Sequence, residues 1–171
     1  MREPTKPFPM AFIKYRGQFD FNGLYAMIFN YLKDRDYKPV EKKHKEKKGD
    51  FGREVEIDIW GEAEVTEYVN YKMTFKLHAW DLNPVKDKPG MDEGRIEIQL
   101  EGEVILDPKD KIKGDGRIKR AMDMFLKKVV LFRELEFKHQ DRVANTLGAI
   151  QVRIRKFLNM DTGESPFESY P

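Results

Sequence analysis

Three basic segments are the strongest candidates for chemistry in this sequence. One lies at 38–48 and contains six lysines, and the other two lie in the last third of the chain. The candidate residues of those two are Lys111, Lys113, Arg117, Lys119, Arg120, Arg153, Arg155 and Lys156. If such side chains converge, they form a surface that follows a phosphate backbone. Nucleic-acid binding is therefore one candidate function, although no ladder of exposed aromatic residues interleaves these segments and Phe51, at a turn, is the one candidate for stacking on bases.

Catalytic residues are harder to find. The chain has no cysteine, and its only serines, Ser165 and Ser169, lie at the C-terminal end, so nucleophilic catalysis has no candidate centre. The histidines are far apart in sequence: His44, His78 and His139. They form no HxxxH or HExxH pair of the kind that holds zinc on a helix, and we interpret His78 with Glu56 as a surface pair. We predict no metal, no cofactor and no enzymatic activity.

The overall composition is that of one globular domain. The chain of 171 residues has 36% charged and 40% hydrophobic residues and a net charge of only +2, which does not indicate a disordered chain or a polyanion partner. No apolar run approaches the roughly 20 residues that cross a bilayer, and the first ten residues lack the apolar core of a signal peptide. We expect a cytoplasmic protein without membrane contact, with an extended lead-in at 1–9, one domain at 10–160 and a flexible tail at 161–171.

Three segments in the middle of the chain alternate apolar and polar residues, which is the period of a half-buried strand. Their apolar positions begin at Val55, Val69 and Ile96. The outward residues are acidic in the first segment, basic in the second and acidic in the third, and the lysine-rich segment at 38–48 precedes them. With a short strand at 10–19, the pattern predicts a curved antiparallel sheet of about five strands with one apolar face.

The turns predict a register for this sheet. A hairpin loop at 66–68 and a turn at 49–52 each fix one pairing of strands. The predicted pairs are Glu62–Lys72, Asp58–Lys76, Glu56–His78, Lys47–Glu54, Lys45–Glu56 and Lys43–Asp58. The same register places Lys42, His44 and Glu46 on the apolar side, either as charges that blunt an edge strand or as the open end of a cavity.

In this register Gly61 and Gly102 flank Met73 on the apolar face. Glycine inside a strand marks a bend or the close approach of another element, so we interpret the pair as a crease where the sheet curls around a helix. The alternative is the floor of a small ligand pocket, for which the candidate lining is Gly61, Tyr71, Met73, Phe75 and Gly102.

Apolar residues at helical spacing occur before and after the sheet. A stripe at 20–35 predicts an N-terminal helix, with Asp20 or Asn22 as its cap, and stripes at 118–132 and 143–157 predict long C-terminal helices. The last helix has the pattern of one that lies on an anionic membrane, but the sheet needs such a helix to cover it, and we predict packing there. The predicted fold class is α+β, with the helices on one face of the sheet.

The order strand, helix, antiparallel meander and long C-terminal helix over 10–160 is similar to the helix-grip arrangement of START-like lipid-binding domains. The likeness is one of topology, and about five strands are fewer than those domains use. It implies a pocket for a small hydrophobic ligand between the sheet and the C-terminal helix. The runs YRGQFD at 15–20 and RKFLN at 155–159 also resemble stretches of small uncharacterised archaeal proteins, a likeness that implies no function.

The leading prediction is a non-enzymatic binding or assembly module that acts through a sheet edge, a basic helix surface or both. Its expected partner is another protein or a second copy of the chain. The first alternative is the helix-grip pocket for a small hydrophobic ligand. The second alternative is nucleic-acid binding through the basic segments.

Overall fold

The computed structural model describes residues 11–66, 69–106 and 131–160. Along the chain they form β1 (Ala11–Phe19), α1 (Phe21–Lys33), β2 (Lys38–Lys48), β3 (Arg53–Thr66), β4 (Val69–Pro84), β5 (Asp92–Leu106) and α2 (Leu131–Phe157). The terminal tails and nearly all of the helical stripe predicted at 118–132 lie outside the described residues. Within the described ranges, neither helix is long and apolar enough to cross a membrane.

The five strands form one antiparallel sheet in the order β1-β5-β4-β3-β2. Strands β2 to β5 pair with their neighbours in sequence, and β1 pairs with β5. The edges of the sheet are therefore β1 and β2. The five-stranded antiparallel sheet predicted from the alternation is confirmed, and with two described helices the arrangement is α+β.

The register of the structure is the predicted one. All six predicted pairs occur: Lys47–Glu54, Lys45–Glu56, Lys43–Asp58, Glu62–Lys72, Asp58–Lys76 and Glu56–His78. The turn between β2 and β3 closes where Gly49 N donates to Gly52 O at 2.8 Å. A slip by one residue would turn the charged set inward, so the buried apolar face holds this register.

The core lies between the apolar face of the sheet and the two helices. The helix residues that are fully buried include Leu24, Ile28 and Leu32 of α1 and Val143, Ile150 and Ile154 of α2. They recur at spacings of four and seven residues, so each helix buries one stripe. At the start of α1, Asp20 accepts a hydrogen bond from Gly23 N at 2.8 Å, which satisfies one of the free N–H groups of the first turn.

Helix α2 comes very close to the sheet at Gly102. A Cβ atom on Gly102 would lie 2.6 Å from Val143 Cγ1. Met73 faces Gly102 on one side and Gly61 on the other, and a Cβ on Gly61 would lie 3.3 Å from Tyr37 Cβ. Another element thus approaches the sheet at each glycine, as the crease interpretation predicts.

Strand β2 is an edge strand with charges on both sides. His44 and Glu46 face buried apolar residues of β3 and lie on the apolar side, as predicted. Lys42 does not take its predicted place in the register, because the register shifts between Glu41 and Lys43: Glu41 faces Ile59, and Lys42 lies in a bulge without a facing residue. The bulge and the inward charges both discourage pairing with another strand.

Candidate binding face on the open side of the sheet

The open face of the sheet carries two rows of side chains that run across β4, β5 and β1. In one row, Arg95 faces Trp80 on one side and Arg16 on the other. The neighbouring row consists of His78, Glu97 and Lys14. Successive side chains of a strand alternate between faces, so these residues lie opposite the buried apolar set and remain accessible to a ligand.

Arg95 is held in place by Asp81. Its Nε and Nη2 atoms both donate to Asp81 Oδ2, at 3.0 and 2.6 Å. Asp81 has a φ of 56° and lies in the register shift between Trp80 and Asn83, and a bulge of this kind redirects a side chain. The guanidinium of Arg95 also lies 5.9 Å from the centroid of the Trp80 ring. A carboxylate and an aromatic ring therefore both engage the charge of Arg95.

An open recess lies beside this bulge, where β1, β4 and β5 meet. Gly17 and Gly94 face each other across β1 and β5, and a Cβ on Gly94 would lie 2.7 Å from the carbonyl oxygen of Trp80, so a side chain is excluded there. Two cavities of about 270 Å³ and about 420 Å³ open here, and Arg16 and Arg95 line both of them. The two cavities therefore adjoin at a pair of arginines.

Arg16 is an exposed cation that no other described residue neutralises. Lys14 pairs with Glu97 at 3.1 Å, and Arg95 pairs with Asp81 at 2.6 Å. Within the described ranges, no hydrogen bond or ion pair joins the side chain of Arg16 to another residue. An unpaired guanidinium beside a second one favours the binding of an anion.

A second cluster lies on the same face, where β3 and β4 pair. His78 Nε2 is 2.8 Å from Glu54 Oε1 and 3.7 Å from Glu56 Oε1. Lys43 donates to the other carboxylate oxygen of Glu56, and this hydrogen bond raises the pKa of Lys43 and lowers the pKa of Glu56. The rings of His78 and Trp80 lie 3.8 Å apart between centroids. The predicted surface pair of His78 with Glu56 is therefore present, but Glu54 is the nearer partner.

The five residues predicted to line a hydrophobic pocket lie on the apolar face. Met73 and Phe75 are fully buried and Tyr71 is 8% exposed, while Gly61 and Gly102 are the points of close approach described above. Neither of the two cavities beside Arg16 borders any of these residues. Close packing accounts for their surroundings, and a ligand pocket among them stays a prediction.

Tyr71 joins the sheet to α2. Its hydroxyl lies 2.5 Å from Nδ1 of His139, and the two rings meet edge to face. Burial raises the pKa of Tyr71 and lowers the pKa of His139, and the cations of Arg142 and Lys138 lower the pKa of His139 further. Both shifts favour the neutral forms, and the tautomer of His139 sets which of the two groups donates in this hydrogen bond.

The predicted basic surface falls only partly in the described ranges. Outside them lie Lys111, Lys113, Arg117, Lys119 and Arg120. Arg153 and Lys156 are exposed, whereas Arg155 is partly buried and its Nε has no hydrogen-bond partner among the described residues. The guanidinium of Arg153 lies 5.6 Å from the centroid of the Tyr31 ring. The described part of this surface thus offers two exposed cations.

The residues of the recess were not identified from the sequence. The alternation of apolar and polar residues does predict that Trp80 lies on the outward side of β4, because it follows the outward residue His78 by two positions. Arg16 and Arg95 face each other only because β1 pairs with the last strand, and the sequence has no motif for that pairing. The contact of Asp81 with Arg95 depends on a left-handed residue in a bulge, which strand alternation does not predict.

Comparison with known proteins supplies no relative from which a function could be transferred. No protein-family model matches this chain, and no curated protein matches it with significant similarity. The function is therefore inferred from the geometry of the open face.

Proposed function

We propose that this protein is a binding module that holds a small anionic ligand on the open face of its sheet, beside the edge strand β1. The observation that carries the proposal is the pair of Arg16 and Arg95 where the two cavities adjoin. Asp81 engages the charge of Arg95, whereas no described residue engages that of Arg16. The proposal retains a non-enzymatic module acting at a sheet edge, and it places the site at β1.

The chemistry of the ligand follows from the guanidinium group of Arg16. Arginine presents a planar fork of donors that matches a carboxylate or a phosphate. Because Asp81 already accepts from two nitrogens of Arg95, Arg16 supplies the main contact. The cavity volumes suit a small molecule, and the Trp80 ring, which lines the larger cavity, offers an apolar wall to the rest of the ligand.

The acidic residues around the recess favour a ligand with a single anionic group. Glu93 lines the smaller cavity and Glu97 lines the larger one. A polyanion would bring repeated negative charges against these carboxylates, whereas one carboxylate or phosphate can contact Arg16 alone. Nucleic-acid binding is accordingly the weaker alternative, and it would use the helix surface that includes Arg153 and Lys156.

The proposal also covers the arrangement of α2 on the sheet, the binding partner and the location of the protein. Burial of Val143, Ile150 and Ile154 of α2 supports a helix-grip arrangement on the apolar face, with the hydrophobic pocket as an alternative site. The proposal also includes binding of another protein or of a second copy at the β1 edge. It further includes a cytoplasmic location.

Titration of the ¹⁵N-labelled protein with inorganic phosphate and with acetate, followed by nuclear magnetic resonance, tests the proposal. We expect the largest amide shifts at Gly17 and Gly94, the backbone positions of the recess. In Arg16→Gln the apparent Kd should weaken at least about tenfold, because a hydrogen bond to a charged group contributes about 1.5–3 kcal/mol and about 1.4 kcal/mol is a factor of ten. Arg153→Gln makes the same charge change on α2 and should leave the Kd unchanged.

The pattern of results separates the alternatives. Equal weakening in both variants would indicate a general charge effect and would contradict a site at Arg16. Shifts centred on α2 that are lost only in Arg153→Gln would support the basic helix surface instead. If the amide shifts were the same in the wild type, Arg16→Gln and Arg153→Gln, the recess would not be the binding site.

A further inference from the structure

Two carboxylates and an imidazole converge on the open face where β3 and β4 pair. Glu54 and Glu56 are two residues apart on β3 and therefore point the same way, and His78 faces Glu56 across the strand pair. One ligand atom from each of the three residues lies within 4.8 Å of the other two. The cluster is partly exposed, with side-chain exposures of 30%, 23% and 34% for Glu54, Glu56 and His78.

His78 approaches both carboxylates of the cluster but is close to only one of them. Oxygens of both Glu54 and Glu56 approach the same nitrogen of His78, at 2.8 and 3.7 Å. One N–H group is well placed to donate to only one of them, so two negative charges converge where one hydrogen bond forms. A divalent cation would bind all three groups at once and would neutralise both carboxylates.

The spacing of the three ligand atoms suits a metal of the zinc class. Zinc lies about 2.0–2.2 Å from nitrogen and oxygen ligands, which places two ligands of one tetrahedral ion about 3.4 Å apart. The distances of 2.8 and 3.7 Å from His78 Nε2 lie on either side of this value. The ligand atoms of Glu54 and Glu56 lie within 4.8 Å of each other, so rotation of these partly exposed side chains has to bring the two oxygens to this separation. Three protein ligands from one face leave further coordination positions open to solvent.

Two neighbouring residues orient the ligands. Lys43 donates to Oε2 of Glu56, so Oε1 is free for a metal, and Oε1 is the oxygen that lies near His78. Trp80 stacks on the His78 ring, with an angle of 32° between the planes, and limits its rotation. Outer contacts of this kind raise the affinity of metal sites by holding the ligands in place.

We propose that Glu54, Glu56 and His78 form a binding site for a divalent transition-metal ion such as Zn²⁺ on the open face of the sheet. The imidazole nitrogen favours such ions over Mg²⁺, which prefers an all-oxygen shell. The site is independent of the anion site proposed at Arg16, because none of the three ligands borders either cavity there.

The proposal is tested by titrating the metal-free, untagged full chain with Co²⁺, which reports its coordination through visible absorption, and then displacing Co²⁺ with Zn²⁺. We expect binding of one Co²⁺ per chain, displacement by Zn²⁺ and no displacement by equimolar Mg²⁺. His78→Ala, Glu54→Gln and Glu56→Gln should each weaken the Kd for Co²⁺ at least about tenfold, as loss of a ligand or its orientation does elsewhere.

Matched controls come from the same chain. His44 is an exposed histidine 3.3 Å from Glu41, and among the described residues it pairs with that one carboxylate alone, so His44→Ala should keep the wild-type Kd. Arg16→Gln should also bind Co²⁺ normally, which separates this test from that of the anion site. Circular dichroism of each metal-free variant checks that it is folded. Unchanged binding in His78→Ala, or equal loss in His44→Ala, would overturn the proposal.

Discussion

Two glycines, one in the sheet and one in the helix that covers it, have opposite surroundings. Gly102 of β5 lies under α2, and a Cβ there would be 2.6 Å from Val143 Cγ1 and 2.7 Å from Leu147 Cδ1. Apart from its chain neighbours and the nearby backbone of α2, Gly148 has no described atom within 4 Å of the position that a Cβ would take. The first glycine sets how closely the helix approaches the sheet, whereas the second lowers the stability of its helix without any gain in packing.

Alanine at these two positions should change stability in opposite directions. We expect Gly102→Ala to lower the free energy of unfolding by about 1–3 kcal/mol, because the added methyl group overpacks the core and α2 has to shift. Gly148→Ala should raise the free energy of unfolding by about 0.5–1 kcal/mol, because alanine favours the helix. Urea denaturation of both variants measures the change. If the free energy of unfolding of Gly102→Ala were equal to or higher than that of Gly148→Ala, the close approach of α2 would be contradicted.

Between neighbouring strands, the backbone register does not decide which side chains touch. Lys43 faces Asp58 in the register but donates its hydrogen bond to Glu56. His78 faces Glu56, yet Glu54 is its nearer partner. Strand twist brings diagonal neighbours within reach of long side chains. The ion pairs that β3 makes on this face therefore run diagonally, whereas Lys14 of β1 pairs with Glu97, the residue that it faces.

Double-mutant cycles should distinguish a diagonal pair from a facing one. Lys43→Met with Glu56→Gln, in metal-free buffer, should show favourable coupling that decreases as salt is added. Lys72→Met with Glu62→Gln should show weaker coupling, because the Lys72 ammonium lies over the Trp60 ring, 5.6 Å from its centroid. The free energy of unfolding from urea denaturation gives both values. Stronger coupling in the facing pair would show that register alone sets these contacts.

The strand register could be predicted from the sequence, but the contacts within it could not. The turns and the alternation fix the register because a slip of one residue would bury charges such as Glu56. A bulge adds one residue at a position that the alternation does not specify, which is why Lys42 was misplaced. The choice between Asp58 and Glu56 for Lys43 depends on strand twist and rotamers, which a one-dimensional pattern does not contain.

At the scale of the whole molecule, the two edges of the sheet differ. Strand β2 has a bulge and carries His44 and Glu46 on its apolar side, which blunts it against pairing. In the described part of β1 there is no register shift, and Phe12 is 48% exposed. The recess at Arg16 lies beside this second edge. The edge closer to the candidate site is thus the one better suited to a partner.

The candidate site was less predictable than the fold. The apolar face could be recognised because burial repeats along every strand, and Gly102 indicated where α2 packs. The open face has no such constraint, and the sequence predicts charge pairs only across β2, β3 and β4. On β1, Lys14 pairs with Glu97, whereas the surroundings of Arg16 depend on the pairing of β1 with β5 and on the position of Asp81.

The hydrogen bond between Tyr71 and His139 connects the sheet to α2, so it should influence unfolding of the whole molecule. Burial, followed by the cations of Arg142 and Lys138, lowers the pKa of His139 below its ordinary value of 6.5. Just below pH 6.5 the unfolded chain therefore binds a proton that the folded chain does not. The free energy of unfolding contributed by this group is complete above pH 6.5 and is lost as the pH falls from there through the pKa of the folded state.

Substitution of His139 should flatten the dependence of stability on pH. We expect His139→Gln to lose less free energy of unfolding than the wild type between pH 7 and pH 5, measured by urea denaturation at each pH. Tyr71→Phe removes the hydroxyl but keeps the buried surroundings that lower the pKa of His139, so this variant should be less stable at every pH while retaining the wild-type slope. If His139→Gln had the wild-type slope, the imidazole would not be desolvated, and α2 would not be packed against the sheet at this point.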